Sequence, residues 1–290
     1  MHKKRKMYIC THKFFRQNPC PAGRLVEKKQ QKYSTLVNNV NIVYQNNPIS
    51  HEKISQKPNR RTRRNKKAKK SVENKNSTLN FFSCNSSGVK NKLLSLGKIV
   101  NELEVGVFCL QETHSMKEGL IKFDNSAMYQ IFEQVRENKS GGGLSIGALK
   151  TLNPVWVGDG GVDAEAMTVQ IETKYLKIRI TNAYGPQEYD DIAKKEKIWA
   201  FLDSEISQCQ QNGSACMIMT DANAWLGKSF IKNDPHSQNR NGQLFTEFLQ
   251  RNPQLHLMNA SKLFEGSITR CRTGNDRSER SIIYFVIVCD

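Results

Sequence analysis

The segment Val105–Thr113, VGVFCLQET, is an apolar run that ends abruptly in polar residues. Six residues without a polar side chain, from Val105 to Leu110, predict a strand that is buried on both faces. A shorter apolar run, Leu79–Cys84, comes earlier and ends at a turn signal. Between the two runs lies an apolar stripe with helical spacing, formed by Leu93, Leu94, Leu96, Ile99, Val100 and Leu103. The local order is therefore strand, helix, strand.

Beyond this unit, strand patterns outnumber helix patterns. The predicted strands are Tyr129–Val135, Gly143–Leu149, Ala166–Ile171, Leu176–Tyr184, Cys216–Thr220, Leu255–Met258 and Ile282–Val288. The predicted helices are Asp191–Gln208 and Asn241–Gln250. So many strands with so few helices between them indicate an α+β fold, a sandwich of two sheets with helices outside.

The charge divides the chain into two parts. Of the 44 Lys and Arg residues and the 27 Asp and Glu residues, positions 1–80 contain 21 and 3, so positions 81–290 are nearly neutral. Residues 1–77 also lack a sustained apolar period, and they cannot bury enough surface to offset the entropy of ordering. We therefore predict a disordered basic arm over 1–77 and one folded domain over 78–290.

The arm contains a dense basic cluster between Pro58 and Lys70. Its eight basic residues are Arg60, Arg61, Arg63, Arg64, Lys66, Lys67, Lys69 and Lys70. Such a cluster predicts contact with a polyanion, DNA or RNA, through the release of counterions. A nuclear-import signal and a solvated linker are alternatives that the composition leaves open.

Composition also restricts where the protein can reside. The eight cysteines follow no framework spacing, which indicates reduced thiols in an intracellular protein. No apolar run approaches the roughly 18 residues of a membrane span. We expect a monomer without a membrane partner, inside the cell, and in the nucleus if the basic cluster is an import signal.

Several predicted strands end in polar or acidic residues, the arrangement that an active site on a layered fold requires. Asn85 follows the first strand, Glu112 the second, Asn182 and Tyr184 end a later one, and Asp221 and Asn223 follow the strand from Cys216. Carboxylate and amide oxygens suit a hard cation such as Mg²⁺, with Mn²⁺ as an alternative, and the phenol and amides suit phosphate oxygens. The set predicts metal-assisted hydrolysis of a phosphoester.

Seven short motifs occur in one order along residues 78–290. They are N-x-x-G at 85–88, L-Q-E-T at 110–113, G-G-G-L-S-I at 141–146, N-A-Y-G-P at 182–186, D-A-N-A at 221–224, N-x-N-G at 239–242 and S-I-I-Y-F-V at 281–286. In this order they resemble the endonuclease/exonuclease/phosphatase superfamily, and within it the apurinic-like endonuclease domain of non-LTR retrotransposons. The resemblance implies a four-layer α/β sandwich with magnesium at one edge of the paired sheets.

The resemblance also implies a role for each matching residue. Glu112 would be the main metal ligand with Asn85 beside it, and Asp221 would align or activate the attacking water. Asn223 would hold the scissile phosphate, and Tyr184 would stabilise charge on its oxygens. Asn182, the first residue of N-A-Y-G-P, and His114, directly after L-Q-E-T, are further candidates for phosphate or substrate contact.

The sequence departs from the family pattern in two places. The last motif of the family has an Asp that orients the catalytic histidine, whereas this chain has Tyr284. Loss of the orienting Asp in a comparable His dyad costs about 10⁴ in rate. The family's histidine lies in an S-D-H segment that would fall beyond Asp290, so we expect a domain incomplete at its C-terminus, with an exposed sheet edge.

Two hypotheses follow from the sequence. The first is a magnesium-dependent DNA endonuclease domain of a retrotransposon-derived protein, impaired in this chain, whose reverse transcriptase would be encoded by a longer parent. The second is a degenerate, catalytically inactive fragment that at most binds nucleic acid through its arm. The residues of the N-A-Y-G-P and D-A-N-A motifs disfavour a phosphatase that acts on lipid or inositol phosphates. For the chain as given we expect DNA nicking near background.

Overall fold

The computed structural model describes residues 40–42, 79–136, 141–161, 164–231, 234, 236–261, 270–273 and 278–289. Within these ranges the strands are β1 Val40–Ile42, β2 Leu79–Asn85, β3 Val105–Gln111, β4 Tyr129–Gln134, β5 Leu144–Leu149, β6 Val155–Asp159, β7 Ala166–Glu172, β8 Lys177–Tyr184, β9 Ala215–Asp221, β10 Leu255–Leu257, β11 Arg270–Thr273, β12 Ser278–Ser281 and β13 Tyr284–Cys289. The helices are α1 Leu93–Glu102, α2 Ile192–Asn212 and α3 Arg240–Arg251.

The strands form two mixed sheets and a separate ribbon. The first sheet has the order β1-β2-β3-β5-β4, and the second has the order β10-β13-β9-β8-β7-β6. Each sheet contains one parallel pair, β2 with β3 in the first and β8 with β9 in the second. The strands β11 and β12 pair only with each other among the described residues.

Three apolar clusters show how the layers stack. One lies between α1 and the first sheet and includes Leu96 and Phe108, and one lies between the two sheets and includes Ile146 and Met219. The third lies between the second sheet and α2 and α3, where Trp199 stacks on Phe245 with ring centroids 5.0 Å apart. The layers are helix, sheet, sheet and helices, so the four-layer sandwich is confirmed.

The fully buried sequence of β3 explains its central place. Val107 and Cys109 face the second sheet, whereas Phe108 and Leu110 face α1. Because successive side chains of a strand point to opposite faces, a strand covered on both sides needs an unbroken apolar run. The polar residues that follow Leu110 therefore begin where the covered part of the sandwich ends.

Some elements differ from the sequence prediction. The edge strand β6 was not predicted, since its half-exposed side chains show no clear alternation. β1 lies in the segment where no element was predicted, and it pairs with the start of β2. β13 is hydrogen bonded on both sides, to β10 and β9, so it is not the exposed edge. Among the described residues, no helix is both long and apolar enough to cross a membrane.

Candidate active site

The two parallel strand pairs bring four polar residues to the same edge of the sandwich. Asn85 ends β2 and Glu112 directly follows β3, while Tyr184 and Asp221 end β8 and β9 as register partners. Parallel neighbours end at the same side of a sheet, and here the ends of both parallel pairs meet across the sandwich. Residues up to 136 positions apart thus become neighbours.

The contacts among these four side chains are direct. Nδ2 of Asn85 donates to Oε1 of Glu112 at 2.6 Å and to Oδ2 of Asp221 at 2.8 Å. The Tyr184 hydroxyl donates to the same Oε1 of Glu112 at 2.7 Å. We call Asn85, Glu112, Tyr184 and Asp221 the carboxylate cluster. It joins one carboxylate from each sheet through a single amide nitrogen.

Two glycine motifs hold the backbone on either side of Glu112. Gly88 donates its N–H to the carbonyl of Glu112, and Gly142 accepts from the N–H of His114. Glu112 and His114 have φ values of +50° and +52°, a region that residues other than Gly rarely adopt. The backbone around Glu112 is thus strained and braced, as active-site segments often are.

The Tyr184 phenol is a hydrogen-bond donor that stays protonated. Burial, followed by the negative charge of Glu112, raises the pKa of Tyr184 far above its usual value. The phenol oxygen also accepts a hydrogen bond from Nε2 of Gln187 at 2.6 Å. Gln187 was not among the predicted site residues, although its place directly after N-A-Y-G-P was a usable signal.

Asn223 lies beside the carboxylate cluster, on the loop that follows β9. Its backbone N–H faces Oδ1 of Asp221 at 3.4 Å, and its side-chain amide donates to the Gly185 carbonyl at 2.7 Å. Asn223 also has a positive φ of 47°. The structure therefore places it next to Asp221, whereas its contact with phosphate stays a prediction.

The motif N-x-N-G, at the start of α3, forms hydrogen bonds with this loop. Asn239 accepts hydrogen bonds from the backbone N–H of Gly242 at 2.8 Å, as a helix N-cap, and of Trp225 at 2.9 Å. Asn241 donates to the Pro186 carbonyl at 2.7 Å. The two asparagines fix the loops after β8 and β9 against each other.

The structure buries Asn182 inside the sandwich and away from the cleft, whereas the sequence analysis predicted that it contacts phosphate. Asn182 is 0% exposed and lies between the two sheets, where its amide donates to the carbonyls of Leu110 and Ser145 at 2.9 and 3.0 Å. Its Oδ1 accepts a hydrogen bond from Nε2 of Gln111 at 2.6 Å. It lies on the same face of β8 as Tyr184 but two residues deeper, because strand side chains alternate with period two.

A cleft of about 270 Å³ opens beside Glu112 and Tyr184. Its wall includes His114, whose Nε2 lies 3.6 Å from Oε2 of Glu112 and whose side chain is 38% exposed. Two cationic side chains, Arg136 and Lys194, also line the cleft, and each pairs with an acidic residue. His114 is thus accessible for the predicted substrate contact, which stays a prediction.

Tyr284 lies on β13, the strand next to the one that ends at Asp221. It is the register partner of Asp221 in the antiparallel pair of β13 and β9, so the two side chains share one face of the sheet. Tyr284 is half-buried, and its carbonyl accepts a hydrogen bond from the Asn259 amide at 2.9 Å. The position that carries an Asp in the family motif therefore adjoins the carboxylate cluster.

The carboxylate cluster has a donor set that fits a magnesium ion. The described residues contain no group of three or more His, Cys, Asp and Glu side chains that could hold a metal. Magnesium is usually bound by only one or two carboxylates, with water and phosphate oxygens completing its shell. The positive end of the Asn85 amide dipole lies between two carboxylates, which is where a cation would be attracted.

The predicted basic cluster of the arm lies outside the described residues. This applies to each of its members, Arg60, Arg61, Arg63, Arg64, Lys66, Lys67, Lys69 and Lys70.

No family model matches the chain, and no curated protein does. Solved structures do match it. An AP endonuclease from Archaeoglobus fulgidus is 14% identical, with 73% of this chain and 86% of that chain covered and a TM-score of 0.52. The AP endonuclease LMAP from Leishmania major is 11% identical, with 72% and 78% covered and a TM-score of 0.54. The 3′ phosphatase NExo from Neisseria, bound to a product DNA hairpin, is 13% identical, with 71% and 85% covered and a TM-score of 0.53.

At these identities the matches show the fold. The chain shares its fold with these AP endonucleases and with the NExo phosphatase, the fold that the resemblance of its motifs implies.

Proposed function

We propose that the domain is a magnesium-dependent nuclease that hydrolyses phosphodiester bonds of DNA at the carboxylate cluster. The observation that carries this proposal is the position of Asn85, whose Nδ2 donates both to Glu112 on the first sheet and to Asp221 on the second. Two acidic groups that are brought together at a solvent-accessible edge favour a divalent cation and a reaction on phosphate oxygens.

Glu112 and Asn85 would hold the cation, with Mn²⁺ as an alternative to Mg²⁺. Glu112 is suited to this role because it is the more accessible of the two carboxylates, with a side chain 23% exposed, whereas Asp221 is 1% exposed. Rotation of the Asn85 amide by half a turn would present its oxygen in place of its nitrogen, at the cost of the hydrogen bond that this oxygen accepts from the Ser87 N–H at 2.9 Å. A cation bound there would neutralise negative charge that develops on the phosphate.

The remaining residues would position the reacting groups. Asp221 is buried and accepts hydrogen bonds, so it can orient a water molecule and take up its proton. The phenol of Tyr184, whose hydroxyl lies 2.7 Å from Glu112, would donate to a phosphate oxygen. Donors that are fixed before the reaction avoid a reorganisation cost in the transition state.

Support for DNA as the substrate comes from the matched folds and from the cleft. The proteins of the same fold include two AP endonucleases and a phosphatase whose structure contains a product DNA hairpin. The cleft beside Glu112 carries the accessible His114, and also Arg136 and Lys194, which would exchange their partners Glu165 and Asp190 for a phosphate group. The wording of N-A-Y-G-P and D-A-N-A favours an origin in a non-LTR retrotransposon.

We propose a low rate for this chain, because Tyr284 lies where the family motif has an Asp. A phenol cannot stabilise an imidazolium as a carboxylate does. The variant that tests this idea is Tyr284→Asp with a Ser-Asp-His segment added after residue 290, which we call the repaired variant. A polymerase encoded downstream of this reading frame would support the retrotransposon origin, and an unrelated sequence there would contradict it.

A second function rests on the basic arm. Eight Lys and Arg residues within 58–70 would bind DNA or RNA without sequence preference, even if the domain is inactive. The same cluster would direct the protein to the nucleus. Binding to an oligonucleotide, measured over a range of salt concentrations, should lose most of its salt dependence when these eight residues are replaced by Gln. An unchanged slope would assign the binding to the domain.

The experiment that tests the nuclease is supercoiled-plasmid nicking by the repaired variant, with Mg²⁺ and with EDTA. The result expected is Mg²⁺-dependent nicking that disappears in the matched Glu112→Gln form. The unmodified chain should nick near background. Nicking that continues in EDTA, or that survives Glu112→Gln, would contradict the proposed site.

A further inference from the structure

Gln111 and Asn182 connect the two sheets directly beneath the carboxylate cluster. Nε2 of Gln111 donates to Oδ1 of Asn182 at 2.6 Å, and both side chains are 0% exposed. Asn182 then donates to the carbonyls of Leu110 on β3 and Ser145 on β5. We call the Gln111–Asn182 hydrogen bond, with these two bonds to carbonyls, the inter-sheet bridge.

The position of the inter-sheet bridge relates it to the site. Gln111 is the residue before Glu112, and Asn182 lies two residues before Tyr184 on the same face of β8. Glu112 and Tyr184 are the residues whose side chains meet across the sheets at 2.7 Å. A slide of one sheet over the other would therefore change the bridge and that contact together.

If the inter-sheet bridge had only a structural role, it would stabilise the fold less than apolar side chains at the same positions. It lies in a core of apolar residues such as Ile146 and Met219, and Oε1 of Gln111 has no hydrogen-bond partner among the described residues. Unpartnered buried polar atoms destabilise a fold, and two apolar side chains of similar shape would avoid that penalty. Polar groups hydrogen bond in defined directions, so they can fix the position of one sheet relative to the other. Apolar packing between the two faces restrains a slide of one sheet over the other only loosely.

We propose that Gln111 and Asn182 are positioning residues, which set the register between the two sheets so that Glu112 and Tyr184 meet at the reacting phosphate. The inference rests on the proposed function for its catalytic consequence. Its structural content, the control of the Glu112–Tyr184 contact, does not depend on any activity.

The chain offers a matched control in the same strand. Thr181 is the neighbour of Asn182 on β8, and its Oγ1 lies 2.9 Å from Oγ1 of Thr168 on β7 within the second sheet. This bond is as buried as the inter-sheet bridge, but it joins strands that the backbone already pairs. Thr168→Val with Thr181→Val removes a buried polar pair without affecting the contact between sheets.

The experiment compares three variants: Asn182→Leu, the double variant Gln111→Met with Asn182→Leu, and the threonine control. In the repaired variant, kcat for plasmid nicking should fall about 100-fold with Asn182→Leu, while KM changes little, since misplacement of reacting groups by about 1 Å costs that much. The double variant should recover part of the lost Tm, because no unpartnered amide remains, although the Leu110 and Ser145 carbonyls and the Ser83 hydroxyl still lose their donors; its kcat should remain low. The threonine control, in which both partners likewise become apolar, should leave Tm and kcat nearly unchanged.

Two results would overturn the positioning role. The first is recovery of kcat together with Tm in the double variant, which would make the inter-sheet bridge merely structural. The second comes from crystal structures of the otherwise unmodified chain: an unchanged contact between Glu112 Oε1 and the Tyr184 hydroxyl in both Asn182→Leu and the double variant. If the repaired variant does not nick DNA, the proposed function fails, and the crystal structures still decide the inference.

Discussion

Asp221 lies between two tyrosines, Tyr184 on β8 and Tyr284 on β13, and each is its register partner. Tyr184 matches the family motif, donates to Glu112 and is supported by Gln187. Tyr284 replaces an Asp of the motif on the other side. The same side-chain type thus lies on both sides of one carboxylate, and Tyr184 is the one whose hydroxyl donates to Glu112 across the two sheets. The role of a residue at this site therefore depends more on the side chains that it contacts than on its own side-chain type.

The largest expected effect concerns the Tyr284 side. The repaired variant supplies a carboxylate at 284 and a histidine for it to orient, and the nicking rate should rise by up to about 10⁴ over the unmodified chain. Tyr284→Asp alone should give no such gain, because it adds a carboxylate beside Asp221 without the added histidine that this carboxylate would orient. Initial rates of plasmid nicking measure both. An equal rate in the repaired variant and in a form with Ala in place of the added histidine would contradict this prediction.

The next largest effect is expected at Glu112. Glu112→Gln in the repaired variant removes the proposed metal-binding charge and keeps the shape of the side chain, so the rate should fall by about 10³. The thermal transition should change little, because Glu112 lies at an accessible edge. A rate within experimental error of the parent would show that Glu112 is not a ligand.

A smaller effect separates the two tyrosines themselves. In the repaired variant, Tyr184→Phe removes one fixed donor, and the nicking rate should fall by about 10². In the unmodified chain, Tyr284→Phe should leave the slow rate unchanged, because the proposed mechanism uses a carboxylate, and not a phenol, at that position. Equal losses at the two positions would remove the distinction between them.

The smallest effect concerns the loop that lies beside both tyrosines. Asn239→Ala removes the N-cap of α3 and the acceptor for the Trp225 N–H. The free energy of unfolding should decrease by about 1 kcal/mol, measured by urea denaturation. Asn239→Asp retains the acceptor and should cost less. If both variants are as stable as the parent, the cap does not hold this loop.

The layered fold was predictable from the sequence because its strands are strongly patterned. The uninterrupted apolar run of β3 predicted a strand that is covered on both faces, and the structure places sheet and helix on its two sides. β6 was missed, since an edge strand with half-exposed side chains has a weak signal. The ribbon of β11 and β12 was also missed, in a segment rich in charged residues.

The sequence predicted which residue types form the candidate site, but not how deeply each side chain is buried. Alternation along β8 indicates that Asn182 and Tyr184 share a face, yet it cannot show that the sheet opposite covers one and leaves the other accessible. That depends on how far β3 extends over β8, which is a tertiary property. Gln187 was missed for a related reason, because its contact with the Tyr184 hydroxyl depends on the turn that follows the strand.

The most direct measurement of the central claim is a crystal structure of the chain soaked in Mn²⁺, with anomalous scattering used to locate the ion. The account predicts one strong peak bound by Glu112 and next to Asn85, on the side that faces Asp221. A structure at saturating Mn²⁺ with no peak there, or with the Glu112 and Asp221 carboxylates facing away from each other, would contradict it.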